Sequence, residues 1–110
     1  MMSRKGQVYC GGQLAGRIEE IPEGFRFTYD ARYLATPGTR PISMTLSKRA
    51  EPYLSKPLFS FFFGLLAEGI LKTTQCRKLK LDENDHFGRL LKTAHSDTIG
   101  AITVVEEPES

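Results

Sequence analysis

Leu58-Phe59-Ser60-Phe61-Phe62-Phe63-Gly64-Leu65-Leu66-Ala67-Glu68-Gly69-Ile70-Leu71 gathers four of the chain's seven phenylalanines into five residues, and no other window is as apolar. Pro57 suits a first helical turn, where its missing N–H would have had no intrahelical partner, and Ser55 just upstream suits an N-cap. The spacing therefore predicts a helix starting near Lys56. On that helix Phe59, Phe62, Phe63, Leu66 and Ile70 share one face, and Leu58, Phe61 and Leu65 form a neighbouring stripe. An apolar arc this wide is more than one small core can cover, so part of it is expected to lie beneath a second chain. Glycine costs about 1 kcal/mol in a helix interior. Glu68-Gly69 thus predicts a break, followed by a short second helix from Ile70 to about Lys78.

Downstream, Asp82-Glu83-Asn84-Asp85 reads as an N-cap at Asp82 with acids in the first turn, which complements the helix dipole. Phe87, Leu90, Leu91 and Ala94 follow at helical spacing, and Ser96-Asp97 is expected to end that amphipathic helix. Ile99 to Val105 reads as a last strand, apolar on both faces and so expected to pair centrally. Upstream, Gln7-Val8-Tyr9-Cys10, the Gly11-Gly12 turn and Leu14 to Glu19 form a hairpin. Pro22-Glu23-Gly24 makes a second turn, after which Phe25, Phe27 and Tyr29 alternate with polar residues, the period of a strand with one wet face. Ala31 to Ala35 is a helical turn broken by Thr36-Pro37-Gly38. Pro41 to Ser47 alternates again, with Ile42, Met44 and Leu46 on one face, as a fourth strand, and Lys48 to Ser55 reads as a loop. The fold class is α+β: an antiparallel β-meander sheet with a C-terminal helical half and a final strand returning to the sheet. It forms a single domain over residues 1–110, with 1–6 and 106–110 expected to fray.

A chain of 110 residues supports one core. A formal charge of +2 is too weak to argue for nucleic acid or a membrane surface. Lys72, Arg77, Lys78 and Lys80 are the one basic cluster and read first as the solvated end of a helix; a nucleic-acid binder built on them is the weaker alternative, since no aromatics interleave for base stacking. Cys10 and Cys76 stand far apart with no CxxC, which indicates neither a disulfide framework nor a metal site. No apolar run reaches membrane-spanning length, and no apolar region follows the basic residues Arg4 and Lys5, so a cytoplasmic protein is expected.

Chemistry is sparse. His86 and His95 are rotated to different faces and lack neighbouring ligands at metal spacing, so no metal and no cofactor is expected. Ser43 and Cys76 are conceivable nucleophiles without a GxSxG elbow or a cysteine-centred signature. Gly11-Gly12 lacks the further glycines and the Lys-Ser/Thr of a phosphate loop. Asp97 fits a turn or cap better than an acid catalyst. The residues read as a non-enzymatic module with no catalytic set, whose function lies in what it binds.

Gly12-Gln13-Leu14-Ala15-Gly16, Phe27-Thr28-Tyr29, Pro41-Ile42-Ser43, Leu65-Leu66-Ala67-Glu68-Gly69, Asp85-His86-Phe87-Gly88-Arg89-Leu90-Leu91 and Asp97-Thr98-Ile99-Gly100-Ala101, in that order, resemble the N-terminal subdomain of HipA-type serine/threonine kinases. As a short chain it is similar to the HipS family of three-gene HipBST toxin–antitoxin systems. That resemblance implies an antitoxin that docks on a HipT-like kinase lacking this subdomain and suppresses it, in a possible ternary complex with a HipB-like DNA-binding protein, with no membrane and no direct nucleic-acid contact. It also points to an aminoacyl-tRNA synthetase as the kinase's substrate. Where the family has Leu-Pro-Glu-Gly, this chain has Leu66-Ala67-Glu68-Gly69. It has no Trp, so an indole inserted into the kinase's nucleotide cleft would have to be replaced by Ile70 or Phe63. Phe63, Glu68, Gly69, Ile70 and Lys72 are the expected partner-binding residues, an anchor beside a polar rim. A scaffold that completes the kinase fold or promotes assembly with the DNA-binding subunit, without inhibition, is the alternative.

Overall fold

The computed structural model describes residues 4–66, 68–94 and 101–107. Gly11 and Gly12, at φ +60° and +85°, supply the left-handed pair that a two-residue hairpin requires, and join β1 (Lys5–Cys10) to β2 (Gln13–Ile21). Pro22 and Glu23 then turn the chain into β3 (Gly24–Tyr29). The register slips where Val8 faces Gly16 but Tyr9 faces Leu14, a bulge at Ala15. The freed Ala15 carbonyl accepts the Asp30 N–H at 2.8 Å, fixing the start of α1 (Ala31–Ala35), whose N-cap is the Asp30 carboxylate.

The stretch 41–47 is not a strand. Ile42 and Leu46 are buried as the alternation predicts, but Met44 is 100% exposed. The Ser43 carbonyl takes the Leu46 N–H at 3.1 Å and the Ser43 hydroxyl takes the Thr45 N–H, so the chain closes a tight turn there. Buried Tyr29 pins it, accepting from the Ile42 N–H at 3.1 Å and donating to the Leu46 carbonyl. The fourth strand comes later, in the stretch expected as a loop: β4 (Tyr53–Ser55) pairs with β3, Phe27 opposite Tyr53 and Phe25 opposite Ser55.

That strand also shortens the expected helix. Lys56 precedes Pro57 and is pushed away from helical geometry, so the chain bends through Lys56 and Pro57, Phe59 is still non-helical (φ −53°, ψ 138°) and α2 covers only Ser60–Phe63. Leu58, Phe62 and Leu66 are buried. The Phe62 ring lies 5.2 Å from Phe61 and 5.7 Å from Phe27, seating α2 on the sheet. The break at Glu68-Gly69 is as expected, and α3 (Gly69–Leu79) follows.

The last helix, α4 (His86–Thr93), is capped by Asp85, which accepts the Gly88 N–H at 3.1 Å; Asp82 instead holds the Asn84 N–H in a local turn. Phe87, Leu90, Leu91 and Ala94 are buried. A Cβ on Gly6 would come within 2.8 Å of Leu91, so bare backbone lets α4 settle on β1. The Arg4 guanidinium forks both carboxylates that frame this end, Glu20 at 2.9 and 3.0 Å and Asp85 at 2.7 and 3.1 Å. Arg4 holds the Asp85 carboxyl below the usual range, its hydrogen bond being the main cause.

The final strand, β5 (Ile102–Glu106), returns antiparallel to β1 in a sheet of order β4-β3-β2-β1-β5. It is an edge strand rather than the central one expected. Ile102 and Val104 face the core while Val105 is 40% exposed, so only one side of the apolar run is covered. Lys5 and Gly6 in β1 and Glu106 in β5, expected to fray, are paired into the sheet. The positions of His95, Asp97 and the expected helix end at Ser96 lie outside the described residues. The core sits between one face of the sheet and α1, α2 and α4.

Candidate partner-docking site at the α2–α3 corner

Phe63 ends α2, half out of the core at 44% exposure, its ring edge-on to His86 with centroids 4.8 Å apart. Leu66 returns to the interior. The chain then leaves it: Glu68 is extended (φ −126°, ψ 166°) and exposed, and its side chain makes no capping bond. Gly69 sits at φ +62°, where a Cβ would meet nothing within 4 Å. Glycine is favoured there by the backbone dihedral alone, not by crowding. The swing places Ile70 at 86% exposure and Leu71 at 59%.

The predicted five thus divide. Gly69, Ile70 and Lys72 line one shallow depression of ≈ 570 Å³ together with Arg77 and Glu83; Glu68 precedes it directly, and Phe63 stands apart against α4. Phe59, Phe62, Phe63, Leu66 and Ile70 do not share a face, because Gly64 ends α2 and the turn through Leu66 resets the helical phase before α3 starts. Leu71 was missed by the sequence reading, although its adjacency to Ile70 was the available signal; His86 as the support of Phe63 had none.

Only Cys76 of α3 is buried. The helix ends in a Schellman closure: Lys80 is left-handed (φ 56°, ψ 45°), its N–H reaches the Arg77 carbonyl at 3.4 Å, and the Leu81 N–H reaches the Cys76 carbonyl at 2.8 Å. α3 is therefore closed at its C-terminal end and offers most of its surface to solvent.

Tyr33, Ser43 and Cys76 are tied into the fold. Burial pushes the Tyr33 phenol up to about 12, and its hydroxyl donates to the Arg40 carbonyl. The Ser43 hydroxyl is spent on its turn and Cys76 is buried. Among the described residues no three His, Cys, Asp or Glu side chains gather to hold a metal, and no helix is long and apolar enough to cross a membrane.

Residues 6–105 match the family model of the HipA N-terminal domain. An uncharacterized protein of Haemophilus influenzae is 31% identical over 106 residues, which cover 96% of this chain and 95% of that protein. Y4mE of Sinorhizobium fredii, which bears a kinase designation, is 29% identical over 110 residues; the match covers 99% of this chain but only 26% of Y4mE. Among solved structures, the N-terminal domain of the HipA toxin superposes with a TM-score of 0.74 at 27% identity, covering 100% of this chain and 98% of that one. In sequence and in the course of its sheet and helices, the chain belongs to the HipA N-terminal domain family.

Proposed function

We propose that this chain is an antitoxin-type binding protein that docks on a HipT-like serine/threonine kinase in the cytoplasm and suppresses it, without catalysis of its own. The observation that carries this reading is Ile70, 86% exposed beside Leu71 at a left-handed corner, in a domain whose relative Y4mE carries it as 26% of a longer chain with a kinase designation. Large aliphatics presented side by side, with Glu68 and Lys72 as a polar rim, have the make-up of an interface anchor. Of the two side chains that could stand in for an inserted indole, Ile70 is free to enter a cleft, whereas Phe63 already leans on His86.

The test is kinase autophosphorylation with and without the purified chain. Suppression by the wild type, lost in Glu68→Ala/Ile70→Asp while that variant stays folded, supports the proposal. Full suppression by the folded variant would place the interface elsewhere. The second reading, a non-inhibitory scaffold that completes the kinase fold or recruits a HipB-like DNA-binding subunit, is favoured by the domain's covalent place within a longer relative. It predicts co-purification with unchanged or raised kinase activity.

A further inference from the structure

The five ion pairs among the described residues engage Arg4, Arg17, Arg26 and Lys92. None engages Lys72, Arg77, Lys78 or Lys80, and Arg77, Lys78 and Lys80 are exposed. These cations are not strewn over the surface. Ile70 and Arg77 lie seven residues apart along one flank of α3, and Leu71 and Lys78 likewise along the adjoining one, two turns at about 1.5 Å rise per residue. The outer face of α3 is thus polarised, with a pair of aliphatics at its first turn and a pair of uncommitted cations about 10 Å further on.

We propose that this face recognises a protein surface in which an apolar socket for Ile70 and Leu71 is set about 10 Å from a cluster of acidic side chains that meets Arg77 and Lys78. The inference rests on the docking reading above and adds the chemistry of the partner. Cations at the edge of an apolar anchor act mainly on encounter, drawing the partner in and fixing its orientation, while the buried anchor sets how long it stays. A nucleic acid fits the same charges less well. No aromatic residue lies between Gly69 and Leu79 to stack on a base, and a phosphate backbone offers nothing to the aliphatic pair.

The experiment is binding kinetics on the immobilised kinase at about 50 and about 300 mM NaCl. The wild-type association rate should fall about tenfold between the two. Arg77→Gln/Lys78→Gln should lose about tenfold in association at low salt, with a flattened salt response and dissociation little changed. Arg77→Lys/Lys78→Arg, which conserves both charges, should keep the wild-type association rate and salt response, whereas a merely structural role would leave the salt response of the Gln pair unaltered. Unchanged association in the Gln pair, with the kinase still bound, overturns the acidic surface and leaves docking standing. No binding of the kinase by the wild type at either salt overturns both. Retention of an oligothymidine strand by the wild type, lost in the Gln pair, overturns it in favour of nucleic acid.

Discussion

Ile70→Ala separates what the fold needs from what a partner needs. Fully burying an isoleucine side chain contributes about 1.5–3 kcal/mol. With 86% of Ile70 exposed, the fold holds only the remainder, so truncation should lower the unfolding free energy by about 0.2–0.4 kcal/mol and Tm by about 2 °C. If a partner covers the exposed part, the same truncation removes about 1.3–2.6 kcal/mol of binding, a 10- to 70-fold rise in Kd at about 1.4 kcal/mol per decade. Phe62→Ala is the opposite case: its ring is 0% exposed among Phe27, Phe59 and Phe61, and its loss should cost about 3–5 kcal/mol. Titration of the labelled kinase with each variant, beside thermal melts, measures both effects. A Kd within about twofold of wild type, on an unmoved melt, would refute Ile70 as the anchor. A fall in Tm of about 10 °C would refute its exposure in solution.

Gly16→Ala should destabilise the sheet by about 1–3 kcal/mol in urea unfolding, since the new Cβ would stand 2.4 Å from the Thr28 carbonyl oxygen and 2.9 Å from the Phe27 ring. Lys80→Gly should stabilise by about 0.5–1 kcal/mol, read as a higher urea midpoint, because a left-handed lysine closes α3. Arg4→Gln should lose about 1 kcal/mol at neutral pH, its pairs being roughly one-third exposed. It should also flatten the acid limb of stability. The Asp85 carboxyl is depressed from 3.8 in the fold, so its contribution is present above the unfolded value and is lost as pH falls from about 5 through the lower folded value. Urea midpoints across that range should converge for variant and wild type as the pH drops.

The first three strands were legible because their signals are local. Gly11-Gly12 and Pro22-Glu23-Gly24 name their own turns, and Phe25, Phe27 and Tyr29 keep a strict period of two. Pro41 to Ser47 shows the same period and is not a strand, since what decides it is Tyr29, thirteen residues before Ile42, whose hydroxyl competes for the Ile42 N–H and the Leu46 carbonyl. The Ile99 to Val105 run was placed centrally in error, because hydrophobicity on both faces does not reveal whether a neighbour exists on both sides. At the α2–α3 corner, Gly69 announced the break. How far Ile70 emerges was not readable, for a break discards the angular phase that periodicity depends on. The Arg4 fork to Asp85 spans 81 positions and leaves no local trace.

The Val104 N–H, which points away from β1, is bonded to the Ala94 carbonyl at the end of α4, 2.8 Å away. A foreign backbone approaching that rim finds the rung already occupied, and charged Glu106 guards the next position through Lys92. On the β5 side the protein is thereby shielded from growing by strand-on-strand templating, the route to swapped dimers and fibrils. Along that edge association is left to side chains, which discriminate between visitors, instead of to main-chain ladders, which accept almost any extended peptide.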